Sequence, residues 1–292
     1  MPALVWRCRD HVFTLGPRPL VMGIVNVTPD SFSDGGQFFD PIRAIDHALQ
    51  LVAEGAEILD IGGESTRPGS LPVPLDEELR RVLPVVAGIA AKTPVPISVD
   101  TNKAEVARQS LAVGASIVND VTGLLGDPDM PGVVAEFRAG AIVMHMQGTP
   151  ATMQANPHYD DVVREVGEFF RERLRTLGNA GIPPEAIAFD PGIGFGKTQD
   201  HNLDLMANLD AYGSLGRPMV LGVSRKGVIG TIIDRPRSER MVGSVATACL
   251  AAARGGVQVI RTHDVGPTRD AARLIEAMAD RHRPYNEPDS GD

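Results

Sequence analysis

The stretch PISVDTNKAEVARQSLAVGASIVN, residues 96–119, carries the whole architecture in one unit. Two short runs rich in Val and Ile, 96–99 and 116–118, flank a segment at 103–113 that reads as a helix. Both runs are apolar continuously rather than alternately, which indicates strands covered on both faces and therefore a parallel sheet.

The same unit recurs outward in both directions. Apolar runs at 20–27, 56–61, 96–99, 116–118, 141–144, 187–189, 219–223 and 257–260 alternate with helical segments at 41–54, 76–91, 103–113, 131–139, 159–180, 202–210, 239–254 and 268–280. Eight strand and helix units within 292 residues predict a single α/β domain closed as a (β/α)8 TIM barrel, because a doubly wound open sheet usually has fewer units. Residues 1–18 form the lead-in, with 5–15 expected as a hairpin closing the barrel's bottom. The barrel then spans 19–280, and the polar segment 281–292, with its two prolines, is expected to be a frayed tail.

Composition narrows the function classes. A hydrophobic content of 43%, a charged content of 22% and no long uninterrupted apolar stretch predict a soluble globular protein. The first residues mix Arg7, Arg9 and Asp10 with Trp6 and show no secretory signal, so the cytoplasm is the expected compartment. A net charge of -9 argues against a nucleic-acid partner and against an anionic membrane surface. Cys8 and Cys249 form neither a disulfide framework nor a zinc spacing.

In a barrel of this kind chemistry sits at the carboxyl ends of the strands. The residues closing the eight runs are Asn26, Asp60, Asp100, Asn119, His145, Asp190, Ser224 and His263. Any one strand-end Asp is equally well a cap for the next helix, but eight polar closures in a row point to a site. Anion recognition would need cations there. Arg67 follows the second run, Arg225 and Lys226 follow the seventh, and Arg261 precedes His263 on the eighth, where barrels often bind phosphate. Glycines in Asp34-Gly35-Gly36, Ile61-Gly62-Gly63-Glu64 and the segment 191–197, PGIGFGK, mark close backbone approach to a ligand. The last segment lacks the spacing of a nucleotide P-loop. The loops 26–36 and 64–69 read as active-site lids.

These segments together resemble the dihydropteroate synthases over nearly the whole chain. The matches are MGIVNVTPDSFSDGG (22–36), GGESTRPG (62–69), ISVDT (97–101), IVND (117–120), MHMQG (144–148), DPGIGFGK (190–197), SRK (224–226) and RTHDV (261–265), in that order. The resemblance implies a transferase of folate biosynthesis that joins (7,8-dihydropterin-6-yl)methyl diphosphate to 4-aminobenzoate with release of diphosphate. It implies a pterin site of Asp190, Asp100, Asn119 and Lys226 with Thr66, and a diphosphate held by Arg261 and His263. Asn26 is the expected protein ligand of a Mg2+ ion, which takes few protein ligands beside phosphate and water. The 4-aminobenzoate pocket is expected from Phe32, Thr66, Arg67, Pro68, Phe195 and Ser224. Asp100, Lys226, Arg261 and His263 are the expected catalytic groups, with no covalent enzyme intermediate. Sulfonamides are expected inhibitors, and a homodimer is implied, for which the small-residue segment 243–256 offers a packing face. His145 is left with two readings, a site residue or a satisfied core histidine.

A related barrel that binds methyltetrahydrofolate for corrinoid methyl transfer would share the pterin set but has no use for Asn26, Arg67, Arg261 and His263 together. A silent pterin-binding paralogue is expected to have lost lid residues, and both lids are intact.

Overall fold

The computed structural model describes residues 4–28, 40–67, 69–279 and 281. The chain opens with an antiparallel hairpin, β1 (Leu4–Cys8) and β2 (His11–Leu15). Eight parallel strands follow: β3 (Leu20–Asn26), β4 (Ile58–Gly62), β5 (Ile97–Asp100), β6 (Ile117–Asp120), β7 (Gly140–Met144), β8 (Ile187–Asp190), β9 (Val220–Leu221) and β10 (Val259–Thr262). Their order in the sheet is β8-β7-β6-β5-β4-β3-β10-β9. A parallel bridge from Phe189 to Met219, with the Phe189 N–H donating to Pro218 O at 2.8 Å, brings the two end strands together and closes the barrel. The expected (β/α)8 barrel with its N-terminal hairpin is the observed fold.

The continuous apolar runs are explained by two cores. Outward residues such as Val21, Leu59, Val99, Val118, Val143 and Phe189 pack beneath the helices. Inward residues Met22, Ile58, Ile117, Ile142, Ala188, Val220 and Val259 fill the lower barrel, and the hairpin brings Trp6, Cys8 and Leu15 against them. Trp6 is fully buried and its indole donates to Ala186 O at 3.0 Å, so the hairpin is a plug for the barrel's bottom.

The helices are α1 (Pro41–Glu54), α2 (Leu75–Ala90), α3 (Ala104–Ala112), α4 (Met130–Phe137), α5 (Val162–Asn179), α6 (Gln199–Ala207), α7 (Gly227–Ile233), α8 (Met241–Ala253) and α9 (Val265–Ala279). Local chemistry sets several ends. Asp40 and Asp161 cap α1 and α5, and Gly55 closes α1 in the left-handed region at φ 104°. Thr198 caps α6 reciprocally with His201, so that helix starts at Gln199, earlier than the sequence pattern suggests. The short α7, with Gly227 and Gly230, has little helical signal and is an addition to the pattern. No helix among the described residues is long and apolar enough to cross a membrane.

Candidate active site

Side chains alternate across each strand, so two residues beyond the apolar layer the same inward face becomes polar. Ile58 is followed by Asp60, Ile117 by Asn119, Ala188 by Asp190, Val220 by Gly222 and Val259 by Arg261. The guanidinium of Arg261 ties this layer together. Its Nε donates to Asp60 Oδ2 at 2.6 Å and its Nη2 to Asp100 Oδ2 at 2.8 Å. Asn119 Nδ2 donates to the same Asp60 oxygen at 3.2 Å. The Gly192 N–H donates to Asp190 Oδ1 at 2.7 Å, orienting a second buried carboxylate. A Cβ at Gly222 would meet Asp190 Oδ2, Arg261 Cδ and Lys226 Nζ at 3.8–3.9 Å, so the absence of a side chain keeps the space between those groups clear.

Burial shapes the charges of this floor. It pushes Asp100 up to about 7 against the pull of Arg261, and Asp60 adds repulsion. Asp190 is likewise raised by burial, opposed by Lys226. Lys226 is pushed down to about 8 by desolvation, donates to Ile193 O at 2.5 Å and lies 4.7 Å from the centroid of the Phe195 ring.

Above the floor opens a cleft of about 710 Å3 lined by Ile24, Asn26, His47, Arg67, Arg225, Arg237, Ser238 and His263. Arg237 is pushed below its ordinary value by burial and by the charges of Arg67, Arg225 and Arg240, which marks a crowded positive field. His263 is pushed down to about 3, first by burial and then by Arg261, Arg225 and Arg237. It is therefore a neutral imidazole at neutral pH, a hydrogen-bonding group rather than a cation. The hydroxyl of Ser224 fixes it, lying 3.0 Å from Nδ1 and accepting from the His263 backbone N–H at 3.1 Å. A narrower recess beside it is lined by Glu64, Thr66, Glu78, Asp100, Thr101, Asn102 and Val121.

Asn26, Asp100, Asn119, Asp190, Ser224, Lys226, Arg261 and His263 thus meet at one mouth, with Thr66 and Arg67 on the loop after β4 and Phe195 on the loop after β8. Phe32 and Pro68 lie outside the described residues. Three features escape a reading of the sequence. Arg225, read there as a cation for an anion, is ion-paired with Asp264, its Nε donating to Oδ2 at 3.0 Å. Arg261 engages two carboxylates instead of standing open in the cleft. Arg237 belongs to the cleft, although it closes no apolar run and lies in none of the segments the sequence singles out.

A barrel whose mouth sets buried carboxylates beside an anion-attracting cleft is the architecture of a pterin-binding enzyme, and residues 22–263 match the family of that description, pterin binding enzyme. A dihydropteroate synthase of Escherichia coli (strain K12) is 48% identical over 259 residues, 89% of this chain and 91% of the relative. A solved dihydropteroate synthase of Xanthomonas albilineans with 4-aminobenzoic acid superposes with a TM-score of 0.88 at 46% identity, covering 95% of this chain and 98% of that one. A Yersinia pestis dihydropteroate synthase in complex with a sulfonamide drug gives 0.89 at 41% identity, covering 95% and 100%. The chain belongs to the dihydropteroate synthase family.

Proposed function

We propose that the mouth of this barrel carries out the family's condensation, in which the amine of 4-aminobenzoate displaces diphosphate from (7,8-dihydropterin-6-yl)methyl diphosphate. The observation that carries the reading is the juxtaposition of a carboxylate-lined floor with a cleft among Arg67, Arg225 and Arg237. A dihydropterin offers a ring N–H and a 2-amino group as parallel donors, and the Asp190 carboxylate accepts such a pair. Asp100 and Asn119 read the remaining ring nitrogens, Thr66 stands beside them, and Lys226 donates to the ring carbonyl or N5. The diphosphate extends into the cleft toward Asn26, His263 and the positive field to which Arg261 contributes.

Departure of the diphosphate breaks the C–O bond at the pterin methylene, the oxygen keeping the electron pair. The nitrogen of 4-aminobenzoate forms the new C–N bond and then loses its proton. Cations facing the departing oxygens lower this barrier without an enzyme nucleophile. Among the described residues no group of three His, Cys, Asp or Glu forms a metal site, and Asn26 supplies an amide oxygen beside the cleft. That donor set suits Mg2+, which takes most of its ligands from phosphate and water and would neutralise leaving-group charge. The aryl substrate lies against Phe195 with Thr66, Arg67 and Ser224, and sulfonamides compete for that place. Val242, Leu250, Leu274 and Met278, exposed on the adjacent helices α8 and α9, support pairing of two copies.

The test is an assay with both substrates and Mg2+, scoring dihydropteroate and diphosphate, run beside Asp190→Asn. That substitution turns one acceptor into a donor facing a substrate donor and should weaken pterin binding by about 1–3 kcal/mol. Unchanged pterin affinity by calorimetry would remove Asp190 from the site.

A further inference from the structure

Lys197 is buried to 3% exposure beneath the mouth, and its partners are neutral acceptors. Its Nζ lies 3.0 Å from His145 Nδ1 and donates to His145 O at 3.3 Å and to Phe195 O at 3.0 Å. Burial pushes His145 down to about 3, so the ring is neutral and presents a lone pair. An ammonium has three N–H donors for these three acceptors. A neutral amine would keep both carbonyl bonds and accept from a Nδ1–H, so the contact survives either protonation state. His145 is accordingly a core histidine with a partner rather than a group facing the cleft.

What Lys197 joins is the end of β7 to the loop that presents Phe195. That loop is laid against its neighbour with no room for side chains: Gly192 and Gly196 both have positive φ, and a Cβ on either would overlap the carbonyl oxygen of His145 or Gln147. Gln154 Nε2 donates to Gly194 O at 2.8 Å, the Tyr159 hydroxyl donates to Gly196 O at 2.9 Å, and the Gly194 N–H donates to Asn202 Oδ1 at 2.7 Å. Lys197 is the ionisable group in this set, and a lysine buried without a carboxylate in contact is costly to retain for packing alone, whether it is held charged or neutral.

We propose that Lys197, held against His145, is a positioning residue for the aryl substrate: it fixes the backbone that carries Phe195 and thereby sets the affinity for 4-aminobenzoate. The inference rests on the assignment of Phe195 to the 4-aminobenzoate pocket. Steady-state kinetics of the full chain with Phe195→Ala, Lys197→Met and the double variant test both. Lys197→Met should raise the KM for 4-aminobenzoate roughly tenfold, the scale of one lost hydrogen-bonded support, and leave kcat and the KM for the pterin diphosphate within about twofold. Acting through Phe195, it should add nothing further in the Phe195→Ala background. If Phe195→Ala raises that KM but Lys197→Met does not, or if the two effects simply add, the positioning role is wrong while the pocket stands. An unchanged KM in Phe195→Ala means that the pocket assignment itself has failed. Should Lys197→Met not fold, His145→Leu, which removes only the ring acceptor, is put through the same cycle, with an expected rise of about threefold and the same overturning results.

Discussion

The bottom of the barrel and its mouth are built from the same strands two residues apart, and they solve opposite problems. At the bottom Ile58, Ile117, Ala188, Val220 and Val259 are fully buried around the Trp6 plug, and apolar burial alone holds them. One layer higher Asp60, Asp100, Asn119, Asp190 and Arg261 face the same axis, and there each group depends on its neighbours for compensation. A period of two lets one strand contribute to stability at one level and to chemistry at the next. The mouth should therefore fail when a partner is removed, and the bottom when volume is removed.

The largest expected effect is at the mouth. Arg261→Met leaves Asp60 and Asp100 without the guanidinium that bridges them, and breaking a buried pair in this way costs about 3–5 kcal/mol. Activity should be lost with it. Urea denaturation of the apo chain measures the first effect; a change under about 1 kcal/mol would show that the two carboxylates share a proton and need no cation. At the bottom, Trp6→Ala removes an indole at 0% exposure that packs on Phe13 with ring centroids 5.6 Å apart. The loss should be about 3 kcal/mol of stability, with kcat and both KM values unchanged in the folded fraction. A shifted KM would show that plug and mouth are coupled and that the two layers are not independent.

How much of this division is legible in the sequence follows from distance along the chain. The strands are legible because doubly covered strands stay apolar throughout, and the polar closures from Asn26 to His263 stand out against them. Which closures meet is not legible. Asp60 reads equally well as a helix cap, and only closure of the barrel brings it to Arg261, 201 residues away. Arg225 reads as a spare cation because its partner Asp264 is 39 residues on, in the turn after the next strand. Arg237 is hidden by the weak helical signal of α7, whose glycines give no reason to expect the following loop to fold back over the mouth. Lys197 is a further case, since the sequence shows it only as the end of a glycine segment expected to approach a ligand, and burial against His145 assigns it to the scaffold.

The smallest expected effect sharpens the contrast without touching the plug. Two lysines at the mouth are depressed, Lys226 to about 8 and Lys197 to about 7, each first by desolvation, with Asp190 pulling upward. In the unfolded chain a lysine titrates near 10.4, so from about pH 8 to about pH 9 the unfolded state binds more protons than the folded one and stability rises with pH. Asp100, raised to about 7, works in the other direction but has largely ionised by the start of that window. The bottom layer pulls the other way: burial holds Cys8 well above its ordinary range, so it keeps its proton while the unfolded thiol ionises at about 8.5, and its contribution falls as pH rises. The apo chain should accordingly gain on the order of 1 kcal/mol across that unit of pH. Lys226→Met should remove roughly half of the lysine-driven rise and leave the part due to Lys197, whereas Trp6→Ala should lower the whole curve and keep its slope. Urea midpoints for the three proteins at the two pH values decide it. A flat or falling parent curve would mean that both lysines stay charged in the folded state, their carboxylate neighbours outweighing desolvation, and that the buried thiol of the bottom alone sets the alkaline slope.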